Sequence, residues 1–352
     1  MNNSSDVTIA VDVMGADNGT VAFIAGIVQA MKRASCAAHQ VKLVGDRDQI
    51  QSAISKQKAD KWLCDVEIVH ADQEISMTDK PMFALKNKKN SSMFRAIELV
   101  KDGQADGMLS CGNTGCLMAG GTLKLRTMPG IDRPALCTMI PSPNHQFALI
   151  DVGANPSSTA INLVHNAILG AHYYTTVMGV KYPRVGLLSI GTEEGKGSDL
   201  TCEAHRLLKL CQGDINYLGP IEGFQLFEEN IDVVVCDGFV GNILLKSIES
   251  MAKTVKHYIK RQIMKNPLRI LGAILAQGAF RDIKRQLNPD RFSGAPFLGL
   301  NGVVIKSHGS STADGISSAL ELAIKSAHAS KDGALSSLIE RINITINQAQ
   351  TE

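Results

Sequence analysis

Aromatic residues make up only 5% of the 352-residue chain, with a single tryptophan, so base-stacking surfaces of the kind that grip single-stranded nucleic acid have little to be built from. Charge of one sign is not in excess either. Lys and Arg (36) against Asp and Glu (34) leave a net charge of +2, where a general nucleic-acid binder carries a strongly basic domain, so no nucleic-acid partner is expected. There is no apolar run of the roughly 18–20 residues that a membrane-crossing helix needs. The opening MNNSSDVTIAVDV has neither the basic nor the apolar region of a secretion signal. The eight cysteines contain no CxxC pair and mostly fall within apolar patterns, which reads as buried free thiols in a reducing cytoplasm. No GxGxxG follows a strand pattern, and GTEEGKG lacks both the spacing and the Ser or Thr of a Walker loop. HExxH, EF-hand loops, Cys/His clusters and GxSxG are also missing. Neither a metal nor any other cofactor is expected.

The composition that remains is globular: 44% hydrophobic and 20% charged. At this length roughly three quarters of the unfolded chain's surface is buried on folding, which makes a large core without staples. Short β-branched runs recur at 7–13, 40–46, 65–71, 106–112, 147–153, 184–191, 232–238 and 302–309, each followed by Gly, Asn, Asp or Ser and then by a helical period. Strands alternating with helices build a mainly parallel sheet, and their near-continuous apolar character means that helices cover both faces. The expected fold is a three-layer α/β/α sandwich forming one catalytic domain over 1–352. In such folds ligands sit beyond the carboxyl ends of strands.

One segment breaks the alternation. Helical periods run over 243–264 and 266–287, with Asn266 and Pro267 as cap and first residue of the second, and predict a helical hairpin projecting from the domain. Residues 243–287 carry ten Lys or Arg against Glu249 and Asp282, a net of +8, so the rest of the chain sums to −6. A basic amphipathic hairpin suits an anionic membrane surface, an acidic protein partner or a dimerisation arm, and the apolar LRILGAILAQGAF (268–280) favours lipid contact or a buried dimer seam. Helical patterns at 312–329 and 333–347 close the chain, and 348–352 reads as a polar tail.

Several strand ends carry polar, backbone-permissive residues. VDVMGAD offers Asp12, Gly15 and Asp17; SCGNTGC offers Asn113, Thr114 and Gly115; IDVGAN offers Asp151, Gly153 and Asn155. SIGTEEGKG offers Glu193 and Lys196; CDGFVGN offers Asp237, Gly241 and Asn242; IKSHGSS offers Lys306, Ser307, His308 and Gly309. Glycine admits a ligand close to the backbone, and amides at a helix start favour phosphate through hydrogen bonds and dipole together. One such turn is weak evidence, and for Asp12, Asp151 or Asp237 taken singly, helix capping or turn stabilisation explains the residue better than catalysis. In KSHGSS, Lys306 could hold an anion, His308 could donate to developing charge and the following amides could cradle it; alternatively Ser311 or Thr312 merely caps helix 312–329 and His308 is a satisfied polar core residue. Lys86, Lys88 and Lys89, ahead of the capping pair Ser91 and Ser92, either bind an anionic substrate or form a solvated basic loop.

Taken in order, the strings DVMGAD, KKNSSMFRAIELVKDGQAD, GNTGCLMAGG, GIDRPAL, DVGAN, PRVGLLSIGTEEGKG, INYLGPIEG, VVVCDGFVGNILLK and GAPFLGLNGVVIKSHGSS make the sequence resemble the acyl-[acyl-carrier-protein]:phosphate acyltransferases of bacterial phospholipid synthesis, from Val7 to about Ala329. It departs from the family pattern at Ala16, where a second glycine is usual, and at Pro156, which follows DVGAN in place of an acidic pair with Cys. The resemblance implies a fold similar to phosphotransacetylases and to isocitrate- and isopropylmalate-type dehydrogenases. It implies a homodimer, cytoplasmic but peripheral to the membrane, that converts a long-chain acyl-carrier-protein thioester and inorganic phosphate reversibly to acyl phosphate and free carrier protein. A membrane-bound glycerol-3-phosphate acyltransferase would use the product.

The chemistry agrees with the residues. Phosphate is already an anionic nucleophile, and a thiolate with a pKa near 8.5 leaves without strong acid catalysis. Alignment of the two anionic partners and donors for the oxyanion are what the protein must supply. Lys306, His308 and Asn242 are the expected catalytic residues. The expected phosphate- and substrate-binding set is Asp12, Gly15, Lys86, Ser91, Asn113, Thr114, Gly115, Asp151, Asn155, Glu193, Lys196, Asp237, Gly241, Ser307 and Gly309. The alternatives are a short-chain phosphotransacetylase, which needs no basic hairpin, and a non-catalytic scaffold at the membrane surface, which needs none of the strand-end residues.

Overall fold

The computed structural model describes residues 7–33, 35–143, 145–228, 231–286 and 293–351. Its strands are β1 (Ile9–Asp12), β2 (Val41–Gly45), β3 (Glu67–His70), β4 (Gly107–Ser110), β5 (Ala135–Pro141), β6 (Gln146–Ile150), β7 (Val185–Leu188), β8 (Tyr217–Ile221), β9 (Val233–Val235), β10 (Ala295–Leu298) and β11 (Val303–Lys306). They form one sheet in the order β3-β2-β1-β4-β11-β10-β5-β6-β9-β7-β8. Each of the eight β-branched runs contains a strand. β5, β8 and β10 were not anticipated, and each includes a proline (Pro141, Pro220, Pro296) of the kind that disguises a strand in sequence.

Two parallel halves run in opposite directions. β3, β2, β1, β4 and β11 are mutually parallel; β10 is antiparallel to both β11 and β5, β5 is antiparallel to β6, and β6, β9, β7 and β8 are again parallel. Three successive antiparallel pairings turn the carboxyl ends of β6, β9 and β7 away from those of β1, β4 and β11. At roughly 20–25° per strand pair, the five steps from β4 to β9 also twist the sheet by about 100–125°. The strand ends therefore do not share the single rim that an all-parallel sheet would give.

Alternation within each strand assigns its two faces. In the first half Ile9, Val11, Leu43, Leu109 and Ile305 meet the helices Gly19–Lys32, Arg47–Lys56 and Ala313–Ala329. Ala10, Val44, Met108 and Val304 point the other way, onto Met93, Phe94 and Ile97 of Ser92–Lys101 and Leu117 of Thr114–Lys124, in a core that continues to Phe147, Leu149 and Val234 of the second half. The second half's other face, Cys137, Ala148, Ile150, Val233 and Val235, is covered by Ala160–Met178 and Asp199–Leu210, with Ile339, Ile342 and Ile346 of Ala334–Thr351 in the same cluster. This is the three-layer sandwich. Phe23, Phe94 and Phe147 are fully buried, each contributing about 1.5–3 kcal/mol.

The helix starts follow from capping chemistry: the side chains of Asp46, Asn113, Ser198 and Thr312 each accept from an amide in the first turn. Two boundaries differ from expectation. The projecting segment holds three helices, not two: Gly238–Ile263, Pro267–Leu275 and Gln277–Gln286, and the first begins five residues before 243. Residue 287 lies outside the described residues. Residues 348–351, read as a tail, continue the last helix to Thr351, and 352 lies outside the described residues.

Candidate active site

At the carboxyl ends of β1, β4 and β11 three loops converge. Asp12, the last residue of β1, is buried and accepts from Ser110 Oγ (2.7 Å) and the amide of Met14 (3.2 Å), while Ser110 Oγ accepts from the amide of Gly112 (3.0 Å). Burial raises the Asp12 carboxyl above the usual range, and hydrogen bonds from Ser110, Ser92, Met14 and Gly15 oppose that rise. Gly15 is where the loops after β1 and β4 touch: a Cβ there would lie 2.7 Å from Gly112 Cα. Alanine at the following position, 16, leaves that contact intact.

Lys306 ends β11 beside this carboxylate. Its Nζ donates to the carbonyl of Cys111 (3.3 Å) and to that of Ser307. Burial draws its pKa below the ordinary lysine range, opposed by Cys111, Asp17 and Asp12 and reinforced by Lys246. Ser307 is buried, its hydroxyl within 2.9 Å of Ser311 Oγ and 2.6 Å of Ser293 Oγ. The loop is tied to the first strand's loop by Asp17 N donating to Gly309 O (2.9 Å) and by Asn18 Nδ2 donating to the carbonyls of Ser310 and Ser311. Two helices begin here. Thr312 caps Ala313–Ala329, and Asn113 Oδ1 takes the amide of Cys116 (3.1 Å) to cap Thr114–Lys124. The amides of Thr114 and Gly115 have no intrahelical acceptor and both residues are exposed. A part-buried ammonium between two helix starts is an anion-binding arrangement.

His308 is 66% exposed, and its Nε2 lies 3.5 Å from Glu249 Oε1. Glu249 also accepts from Lys246 Nζ at 3.0 Å. Asn242, Lys246 and Glu249 stand at i, i+4 and i+7 on the helix Gly238–Ile263, one stripe along its length. Asn242 is about 10 Å down that axis from Glu249.

The second group of expected residues is assembled at the helix's start, at the ends of β6 and β9. Asp151 is fully buried: Oδ1 accepts from the amides of Leu136 (3.2 Å), Gly153 (3.0 Å) and Ala154 (2.8 Å), and Oδ2 from the amide and side chain of Asn155 (2.8 and 2.9 Å). Burial raises its pKa and those donors oppose the rise. Asp237 Oδ1 accepts from the amides of Phe239 and Val240 as N-cap, and Gly241 gives the backbone approach, since a Cβ there would lie 1.9 Å from the Asp151 carbonyl oxygen. Glu193 and Lys196 are elsewhere again, on a cavity of about 210 Å³ that also meets Ser189, Cys202, His205 and Lys209. Ser91 is buried and caps Ser92–Lys101; Lys86 is exposed on the short helix Pro81–Asn87 at the rim of the first group.

So Asp12, Gly15, Asn113, Thr114, Gly115, Lys306, Ser307, His308 and Gly309 come together; Asp151, Asn155, Asp237 and Gly241 form a second group; and Asn242 lies on the helix that links them. Sequence reasoning missed Ser110, Lys246 and Glu249. The helical spacing from Asn242 could have found the last two; Ser110 had no signal beyond its place at a strand end. Among the described residues no group of three His, Cys, Asp or Glu is placed to hold a metal ion, and no helix is long and apolar enough to cross a membrane.

The projecting helices leave apolar side chains in solvent. Leu268 is 76% and Leu275 81% exposed, and Met251, Val255, Tyr258, Leu271, Ile274 and Ile283 join them among Lys253, Lys256 and Lys260.

Residues 7–331 match the model of a family described as "Fatty acid synthesis protein". A phosphate acyltransferase from Caulobacter vibrioides is 38% identical over 342 residues, 97% of this chain and 94% of that protein. One from Coxiella burnetii is 40% identical over 318 residues, covering 90% and 92%. Among solved structures, a phosphotransacetylase from Streptococcus pyogenes shares the fold, with a TM-score of 0.59 at 18% identity over 92% of this chain and 94% of that one.

Proposed function

The chain belongs to the fatty acid synthesis protein family, and on that premise we propose that it is a phosphate acyltransferase that makes acyl phosphate from inorganic phosphate and a long-chain acyl thioester carried on acyl carrier protein. The observation that supports this most directly is Lys306, a part-buried cation set between the starts of Thr114–Lys124 and Ala313–Ala329, a site for a small dianion. A phosphate oxygen attacks the thioester carbonyl, the resulting C–O bond replaces C–S, and sulfur leaves as thiolate. The buried carboxylate of Asp12 excludes a dianion from the floor, so phosphate sits on the Lys306 and amide side. His308, exposed at the mouth, donates to the oxyanion or to the departing sulfur. Holding both anionic reactants in line is worth as much as about 7–11 kcal/mol, which leaves little for an acid or base to add.

The exposed apolar and basic helices give the second part of the reading. A second copy of the chain covers part of that face, and the remainder lies on an anionic membrane surface, where a membrane-bound glycerol-3-phosphate acyltransferase takes the product. The test is to incubate the protein with palmitoyl-carrier protein and phosphate and to trap acyl phosphate with hydroxylamine, using acetyl-CoA in parallel. Faster turnover of acetyl-CoA would replace this reading with a short-chain phosphotransacetylase.

A further inference from the structure

Residues 72–90 run along the mouth of the Lys306 loop, and the reaction just described leaves their outer side without a task. Their inner side is pinned. Asn113 Nδ2 donates to the carbonyls of Met77 (2.8 Å), Asp79 (3.1 Å) and Ser76 (3.3 Å), and Lys88 Nζ donates to Asp79 Oδ2 (2.6 Å) and the carbonyl of Glu74 (2.8 Å). Asn90 occupies the carboxylate of Asp72. The Lys88 hydrogen bond holds the Asp79 carboxyl below the usual carboxylate range. Two of the segment's acids are thus engaged within it.

The outer side is different. On the helix Pro81–Asn87, Ala84 is buried while Met82 and Phe83 are 64% and 50% exposed, and Met77 beside them is 45% exposed. Lys80, Lys86 and Lys89 are exposed and, among the described residues, form no ion pair. The patch borders the reacting loop directly, because Met77 lies over Gly309: a Cβ on Gly309 would meet Met77 Cε at 2.6 Å. A merely solvated basic loop has no use for three exposed apolar side chains. Exposed apolar anchors interspersed with cations that form no ion pair fit an acidic protein surface with an apolar edge.

We propose that residues 76–89 are the docking face for the acidic carrier protein that delivers the thioester, an inference that rests on the acyltransferase reading above. Position decides between this patch and the projecting helices. Met77 touches the Lys306–Gly309 loop, whereas the helical cations from Lys253 to Arg261 lie beyond Glu249 and extend about 18 Å along the helix away from it. A carrier held by the hairpin would present its thioester to the wrong end of that helix.

The test uses full-length Lys80→Glu/Lys89→Glu and Met82→Ser/Phe83→Ser variants, all four positions being solvent-exposed. Steady-state kinetics with palmitoyl-carrier protein is expected to show KM for the carrier raised about tenfold in each, KM for phosphate moved less than about twofold, and a shallower salt dependence in the charge variant. Fluorescence anisotropy of labelled carrier protein supplies a binding readout that does not need turnover. Equal carrier affinity in wild type and variants overturns the docking face. So does the carrier effect appearing in Lys256→Glu/Lys260→Glu instead, or the patch variants losing anionic vesicles rather than carrier. Wild type that binds carrier but makes no acyl phosphate overturns the acyltransferase reading alone.

Discussion

Replacing Lys306 by methionine keeps the unbranched apolar stem to within one atom and removes the charge, which separates the anion-binding role from packing. Two effects follow from the structure. The carbonyls of Cys111 and Ser307 lose a charged donor, at about 1–3 kcal/mol in this partly solvated position. With an unfolding entropy of about 2.1 cal/mol/K per residue, 352 residues give about 0.7 kcal/mol per kelvin, so Tm falls by about 1–4 °C. The larger effect is on rate: a missing preorganised charge at a reacting anion costs about 3–4 kcal/mol, or about 10²–10³ in turnover. Hydroxylamine trapping of acyl phosphate at pH 7 measures it.

The pH profile adds an independent check. Burial lowers the pKa of Lys306, and the ammonium is present below that pKa and absent above it. Phosphate affinity should therefore weaken as pH rises through a value below the ordinary lysine range. Lys306→Arg, charged to beyond pH 12, should retain some activity and carry this alkaline limb upward. Turnover by Lys306→Met within about threefold of wild type, or an alkaline limb unmoved in Lys306→Arg, would refute the role.

Gly241→Ala should cost about 2–3 kcal/mol and lower a calorimetric Tm by about 3–4 °C, with acyl phosphate formation reduced in step, because its Cβ can clear the Asp151 carbonyl oxygen, 1.9 Å away, only if the start of Gly238–Ile263 moves. Asp232 accepts from Arg184 at 2.8, 2.9 and 3.1 Å; burial alone would raise its pKa, but those hydrogen bonds win and hold it low. A depressed carboxyl stabilises the fold above its unfolded pKa of about 3.9 and loses that contribution as pH falls through the folded value. Asp232→Asn should thus lower the urea midpoint at pH 7 by the equivalent of about 2 kcal/mol, with the difference from wild type shrinking below about pH 4. Lys256→Glu/Lys260→Glu should weaken binding to anionic vesicles at least about tenfold in low salt, measured by cosedimentation, and unchanged binding would remove the electrostatic part of the membrane reading.

The layers of the fold were legible because both faces of most strands are buried, so runs such as VVV in β9 stand out without reference to partners. The reversal in the middle of the sheet was not. β10 is four residues with a proline second, and β5 ends on one, so neither has the look of an interior strand, yet these two set the direction of everything after them. Site residues show the same division. KSHGSS announced itself by gathering a cation, an imidazole and hydroxyls at a strand end. Asp151 and Asp237 looked alike in sequence, each opening a glycine-rich turn, and only the structure reveals that one carboxylate is enclosed by five donors while the other caps a helix. Ser110 illustrates the limit: its hydrogen bond to Asp12 spans 98 residues and leaves no local trace.

The helix Gly238–Ile263 resolves what the sheet reversal separates. Its first turn is fixed to the second half by Asp237, by Gly238 donating to the Asn155 carbonyl at 3.0 Å and by Gly241 against Asp151. Three turns on, Glu249 faces His308 of the first half. Little of the energy that holds this geometry is ionic: Lys246–Glu249 is a partly solvated i,i+3 pair worth about 0.3–0.5 kcal/mol, and the 3.5 Å contact to an exposed histidine adds no more. Leu244, Leu245 and Ile248, packed onto the core shared by both halves, contribute the rest, and burial of even half of each side chain outweighs both ion pairs. The polar stripe is thus carried to the site by apolar packing along the neighbouring side of the same helix. Anything that came to rest on the projecting end would therefore reach His308 through a helix seated on that core and not through a chain of salt bridges.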